Sequence, residues 1–284
     1  MITWLASYPK SGNTWLRALL TSYLYTSDGT FDFKTISKIY QFPSKKFFKN
    51  YSKSYLNIPD TAEFWIDAQI KINNDENFRV FKTHNAFLNV NNYNFTNKKN
   101  TNGCIYIARD PRNIITSITN HYEMNYEEAL EWMINDKGLL FKKEGNQYTD
   151  FQFLSSWRNH YKSWVNSKEF PILAIRYEDI ESKPISTMRN VINFLIKIGK
   201  LDTSFDESKA KKCIENCNFE NLKKKEEEEG FKEAPIGQKS GKKIIFFNLG
   251  KKNDWKKILP ENIKDKMNKI FDKDLKNWGY NTNE

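Results

Sequence analysis

Cysteine is scarce in this chain: Cys104, Cys213 and Cys217 are the only three among 284 residues. An odd count without framework spacing excludes a small disulfide-stapled scaffold. Cys213 and Cys217 stand four apart in a helical pattern, but no further Cys or His nearby completes a metal site. They read as two core or surface thiols. No apolar run approaches the ~18 residues that a membrane-spanning helix needs. Met1–Pro9 has neither the basic start nor the apolar stretch of a signal peptide, so a cytoplasmic protein is expected. With 11 Gly and 8 Pro, collagen-like and linker-dominated designs are excluded. Arginine is rare as well: 7 of the 45 basic residues, against 38 Lys. The formal charge of +10 points to an anionic partner, yet the lysines are spread along the chain. A nucleic-acid surface needs basic residues interleaved with exposed aromatics on one face. Phe31–Tyr55 has that composition without matching a known module, and no nucleic-acid partner is expected.

Aromatic residues are abundant: 21 Phe, 14 Tyr and 8 Trp. That much bulky apolar surface argues for a packed core and against disorder. Four short, nearly continuous apolar runs read as strands buried on both faces: Ile2–Ser7, Phe78–Lys82, Cys104–Ala108 and Ile172–Ile175. Helical patterns cover Thr14–Tyr25, Asn113–Met124, Glu127–Asn135, Phe153–Asn166 and Thr187–Ile198. Asp110-Pro111 supplies an N-cap and a first-turn proline for the second of these. The alternation predicts an α/β fold, a central parallel sheet flanked by helices. Phe31–Ile58 has no clean period and suits a lid or short helices over a site. Lys223–Glu229 (KKKEEEE) reads as a solvated helix face. Gly237–Lys243 reads as a loop. With no repeat and no dividing linker, residues 1–284 are expected to form one domain with insertions.

The segment carrying most chemistry is Tyr8-Pro9-Lys10-Ser11-Gly12-Asn13-Thr14-Trp15, directly after the first strand and opening the first helix. Free backbone N–H groups and the helix dipole favour an anion there. Gly12 admits close backbone approach, Ser11 and Thr14 offer hydroxyls, and Lys10 adds a charge. The segment is not a Walker A loop, because it has one glycine and its lysine precedes it. A nucleotide or small-molecule kinase is therefore the weaker alternative, lacking also a Mg²⁺-holding constellation. An ordinary strand-to-helix turn accounts for the segment equally well when it is taken alone.

In company, the segment resembles the 5′-phosphosulfate loop of sulfotransferases that use 3′-phosphoadenosine-5′-phosphosulfate (PAPS), with Asn13 in place of a usual Thr. Lys82-Thr83-His84 is similar to that family's K-[ST]-H. Arg109 and Ser117, eight apart, resemble its 3′-phosphate strand and helix. Tyr177-Glu178-Asp179 matches Y-E-D, and Gly250–Lys256 resembles the C-terminal G-x-x-G-D-W-K loop. The motifs run in family order from about residue 2 to 280. The resemblance implies a P-loop-like PAPS site, with transfer of a sulfuryl group to a hydroxyl or amine of a small-molecule or carbohydrate acceptor. It implies Lys10 on the leaving group and His84 as general base. Lys10, Ser11, Gly12, Asn13, Thr14, Trp15, Arg109, Ser117, Tyr177, Gly250 and Lys251 would hold the cofactor, and no metal is required. His121 and His160 read as structural, and Arg112 and Lys82 face either solvent or cofactor. Two departures stand out. Asn248-Leu249-Gly250 replaces an R-K-G tripeptide, leaving Lys251 and Lys252 to compensate. The first motif starts at residue 8, without the N-terminal extension of animal members, so a more open acceptor site is expected. Pro260-Glu261 occupies the place of the family's dimerising stretch, so no dimer is carried over and a monomer is one reading. Acceptor contacts are expected within Phe31–Ile72, after Met124, and in Phe231–Ile244, with the aromatic Tyr40–Tyr55 as a lid.

Overall fold

The computed structural model describes residues 1–51, 54–75 and 77–281; residues 52 and 53 of the expected lid lie outside them. The chain begins β1 (Ile2–Ser7), α1 (Asn13–Tyr25), α2 (Phe33–Ile36), β2 (Tyr40–Gln41), α3 (Trp65–Ile72) and β3 (Arg79–Thr83). It continues through a ribbon of β4 (Asn89–Val90) and β5 (Tyr93–Asn94), then β6 (Thr101–Ala108), α4 (Pro111–Tyr122) and α5 (Tyr126–Ile134). The hairpin β7 (Leu139–Glu144) and β8 (Gln147–Phe153) precedes α6 (Trp157–Val165), β9 (Ile172–Arg176), α7 (Tyr177–Ser182) and α8 (Pro184–Gly199). Last come α9 (Glu207–Asn216), α10 (Phe219–Glu229), α11 (Trp255–Ile258) and α12 (Glu261–Asn277).

Five strands pair in the order β2-β3-β1-β6-β9, every pair parallel, as the alternating pattern predicts. Both faces are covered, so side chains of either parity are buried. Trp4, Ala6, Cys104 and Tyr106 enter one core with α3–α6 and α12. Leu5, Val80, Ile105 and Ile107 enter the other with α1 and α8–α10. From β1 the chain moves to β3 on one side and then returns to β6 on the other. Parallel sheets open a crevice at the carboxyl ends where connections diverge in this way. The loops after β1, β3, β6 and β9 therefore converge on one edge.

The expected helix Phe153–Asn166 is corrected. Phe153 closes β8, Ser155 takes a left-handed φ of 57°, and Ser156 caps α6 by accepting from Asn159 N–H at 3.3 Å. The hairpin turns at Gly145-Asn146, a local signal that helical periodicity outweighed. Helix α4 starts as expected, with the Asp110 carboxylate accepting from Arg112 N–H at 2.9 Å and Pro111 in the first turn. The Phe31–Ile58 stretch does hold short helical turns, but Phe42, Phe48 and Tyr55 are buried in the core. The aromatic lid is corrected accordingly: burial of those rings outweighs presenting them to a ligand. Cys104, Cys213 and Cys217 are buried free thiols.

The C-terminal helix is fastened by a buried carboxylate. Asp274 on α12 accepts from Tyr161 Oη at 2.6 Å and pairs with Arg158 Nε at 2.6 Å. Loss of a hydrogen bond to a charged group costs about 1.5–3 kcal/mol. Tyr161→Phe is expected to lower stability in urea unfolding by that amount. A change under about 0.5 kcal/mol would place the fastening on Arg158 and on Lys162, 3.7 Å from the same carboxylate.

Candidate active site

The loop after β1 turns through two left-handed residues, Lys10 (φ 66°) and Gly12 (φ 96°). Gly12 is needed for its conformation and for space, since an added Cβ would stand 2.4 Å from Cδ2 of Tyr177. No side chain caps α1, and its first intrahelical bond runs from Leu16 N–H to the Gly12 carbonyl. The first-turn N–H groups are left for a ligand where Gly12, Asn13, Thr14 and Trp15 line a cavity of about 590 Å³. Asn13 spends its amide on β1, donating to Leu5 O at 3.0 Å and Ser7 Oγ at 3.2 Å. Ser11 is fully buried with its hydroxyl unpartnered and stands behind the cavity wall.

Three cations share that edge. Lys10, Lys82 and Arg109 all line the cavity. Burial first, then the charges of Arg109 and Lys82, lower the Lys10 ammonium to about 7. Lys82 is lowered to about 8, chiefly by burial, despite Glu233 at 2.9 Å. Arg109 lies 4.0 Å from the centroid of the Tyr177 ring, reaches the Lys10 carbonyl at 3.4 Å, and has an unpartnered Nε. Ser117, one helical stretch away, accepts from Asn253 Nδ2 at 3.3 Å. Arg112 faces neither solvent nor cavity. It is buried against Asp110 at 2.7 Å and lies 3.8 Å from the Trp255 ring centroid.

His84 follows β3 into the same cavity. Its Nδ1 lies 2.8 Å from the Ser7 carbonyl, which can only accept. Nδ1 therefore carries the proton and Nε2 keeps its lone pair. The backbone on either side is fixed: His84 N–H donates to Gln152 Oε1 at 2.8 Å, and His160 Nε2 donates to His84 O at 3.0 Å. Tyr106 Oη donates to His160 Nδ1 at 2.9 Å, so His160 is structural, as expected. Burial first, then the Lys82 charge, pushes His84 down to about 3, which keeps the ring neutral.

His121 is corrected. Its Nδ1 accepts from Lys10 Nζ at 3.2 Å, and the ring lines the cavity. Helical periodicity placed it on α4 but carried no sign of which face meets the β1 loop. Phe246, 4.1 Å from Lys10 Nζ at its ring centroid, was missed, whereas Glu233 lies in the Phe231–Ile244 stretch expected to line the site, with nothing local to single it out. Trp15 and Tyr177 rings stand 5.2 Å apart, with Trp15 Nε1 donating to Cys217 O at 2.8 Å. Gly250 lines the cavity at φ 54°, where a Cβ would meet Phe219 Cδ1 at 2.5 Å. Lys251 and Lys252 are exposed and do not line the cavity. Glu226, within the stretch read as a solvated face, is buried and accepts from Phe246 and Phe247 N–H at 2.8 Å each. Among the described residues, no three His, Cys, Asp or Glu side chains cluster to hold a metal ion.

A parallel sheet with an uncapped helix start, three cations and a neutral histidine at its carboxyl edge presents a crevice suited to an anion. The chain belongs to the sulfotransferase domain family, whose model matches residues 2–279. It is 24% identical over 279 residues to cytosolic sulfotransferase 16 of Arabidopsis thaliana, covering 97% of this chain and 76% of that protein. It is 27% identical over 290 residues to flavonol 4′-sulfotransferase of Flaveria chlorifolia, covering 97% and 79%. Among solved structures, retinol dehydratase with androsterone and the inactive cofactor PAP superposes with a TM-score of 0.58 at 18% identity, covering 97% and 80%. A mouse sulfotransferase complexed with PAP gives 0.55 at 17%, covering 97% and 84%. With the family established, the kinase alternative falls. No helix among the described residues is long and apolar enough to cross a membrane.

Gly12→Ala is expected to cost at least ~1 kcal/mol from left-handed strain alone, with more from the Tyr177 clash. In a Tyr177→Ala background the clash share should vanish, measured by thermal unfolding of both pairs. An equal cost in both backgrounds would remove Tyr177 from the packing argument.

Proposed function

We propose that the chain transfers a sulfuryl group from PAPS to a hydroxyl or amine, acting as one sulfotransferase domain. The observation that carries this reading is the His84 tautomer, which leaves the Nε2 lone pair free in a residue that lines the cavity with Lys10 and Arg109. The residues fit the cofactor on two counts: an uncapped α1 whose first turn lines the cavity, and an unpartnered Arg109 Nε. When bound, PAPS supplies the sulfuryl group, leaving adenosine 3′,5′-bisphosphate (PAP).

The α1 N–H groups with Lys10 and Thr14 would hold the 5′ end, and Arg109 with Ser117 the 3′-phosphate, by forked donors and a hydroxyl. Trp15, Tyr177 and Phe219 offer ring faces for a purine. Lys10 would stabilise charge developing on the leaving oxygen, where a desolvated cation acts strongly. His84 Nε2 would take the proton of the acceptor. An anion between the cations cancels the Lys82 share of the His84 depression and raises its basicity. Leu140, Phe141 and Tyr122 with Gln41 and Ser44 line one part of the cavity, beside Lys142 and Asp150, and suit a small acceptor with an apolar body and a hydroxyl edge. The flavonol relative supports a small-molecule acceptor, and the cytosolic relative supports a cytoplasmic location.

A screen of phenols, alcohols, amines and sugars with labelled PAPS tests the reading directly. His84→Ala is expected to lower turnover at least ~100-fold while the Kd for PAP stays within about 3-fold. Weakened binding with retained turnover would put the base elsewhere.

Lys10 gives a pH signature. With its folded value near 7 and its unfolded value at 10.5, Lys10 binds fewer protons folded than unfolded between them. Its contribution to the ligand-free fold therefore improves as pH rises through that window. PAP favours the ammonium, so at pH 8 binding should take up close to one proton through Lys10, and Lys10→Met should abolish that share. Calorimetry in two buffers of different ionisation enthalpy reads the count; no uptake would contradict a desolvated Lys10.

A further inference from the structure

Two acidic side chains line the cavity: Asp150 pairs with Lys142 at 3.1 Å, and Glu233 stands among the buried cations. Glu233 pairs through Oε2 with Lys82 Nζ at 2.9 Å and through Oε1 with Arg17 Nη2. Lys82 and Arg17 are both buried, and Arg17 Nε has no partner. Two buried cations without an anion are costly, and this carboxylate supplies the anion. Their charges hold Glu233 well below the usual carboxylate range against the opposing effect of burial. Its side chain is nevertheless 34% exposed, and it lines the cavity, whereas Arg17 does not. Lys82 is thus reachable by a ligand, and Arg17 lies behind.

Glu233 belongs to the irregular segment that also brings the Phe246 ring over Lys10. The Phe246 end of that segment is fastened independently of Lys82, by Glu226 accepting from two backbone N–H groups. Loss of the Lys82 contact therefore need not release it. Arg17 holds the other carboxylate oxygen and can keep it when Lys82 leaves.

We propose that Glu233 is an internal competitor for Lys82: it holds the ammonium in the ligand-free chain and yields it to the phosphosulfate end of the cofactor. Glu233 is then a positioning residue that limits affinity for PAPS and PAP and so assists product release. The proposal rests on the functional reading above.

The test is the Kd of PAP by calorimetry, at fixed salt. Glu233→Gln removes the competing charge and should tighten binding about 10-fold. Glu233→Asp keeps the charge and should stay near the unaltered chain. In a Lys82→Met background, Glu233→Gln should tighten binding by much less, since only its through-space repulsion of the anion is removed. Unchanged or weaker binding by Glu233→Gln beside an intact Lys82 would overturn the proposal and make Glu233 a fastening only. If that variant does not fold, two lysine variants decide. Lys82→Met, which gives up a contact already shared, must weaken PAP binding at least about 10-fold less than Lys10→Met. An equal or larger loss at Lys82 overturns the exchange. If the unaltered chain binds no PAP, the functional reading itself fails; binding without the Glu233 effect removes only this proposal.

Discussion

Lys10, Lys82 and Arg109 are held together at one edge of a sheet buried on both faces, and their mutual repulsion shapes what surrounds them. The gathering follows from topology, since the loops after β1, β3 and β6 leave adjacent parallel strands in the same direction. Like charges in a desolvated crevice drive one another toward neutrality, which is why burial and Arg109 bring Lys10 near 7. The chain meets the cost with what it has at hand: His121 beside Lys10, the Phe246 ring over it, and Glu233 against Lys82. An incoming polyanion would give Lys10 and Arg109 the full counter-charge that these neighbours do not supply.

His84 shows how the same fold orders a neutral group next to the cations. Its Nδ1 proton is taken by the carbonyl of Ser7, the last residue of β1, and its backbone is clamped by Gln152 and His160. The clamp comes from the hairpin and α6, on the face of the sheet away from α1. Two layers thus meet at one imidazole. The Y-E-D segment works similarly: Tyr177 packs on Gly12, while Glu178 accepts from Asp110 N–H at 3.1 Å and Asp179 pairs with Arg176 at 2.8 Å. One of its three residues faces the cavity; the other two hold the loops that do.

The strands were legible because burial on both faces writes itself as continuous apolar runs, and Asp110-Pro111 marked a helix start by local chemistry alone. The α6 start was not legible, because Leu154, Trp157 and Tyr161 keep a helical spacing that runs on upstream into β8. The cation edge could be read from Lys10, His84 and Arg109, each next to a strand end. Partners from irregular backbone could not. Nothing local distinguishes Glu233 from the run of charged residues before it, and its role depends on a contact 151 residues away. His121 failed for the same reason, since its neighbour is fixed by tertiary packing.

The account stands on one arrangement, a bisphosphate nucleotide spanning the β1 loop and the end of β6. A crystal structure of the protein with adenosine 3′,5′-bisphosphate measures it most directly. The expected density places the 5′-phosphate on Lys10 and the first-turn N–H groups of α1, the 3′-phosphate on Arg109 and Ser117, and the purine beside Trp15. Nucleotide bound in any other orientation, or away from this edge, would contradict the account.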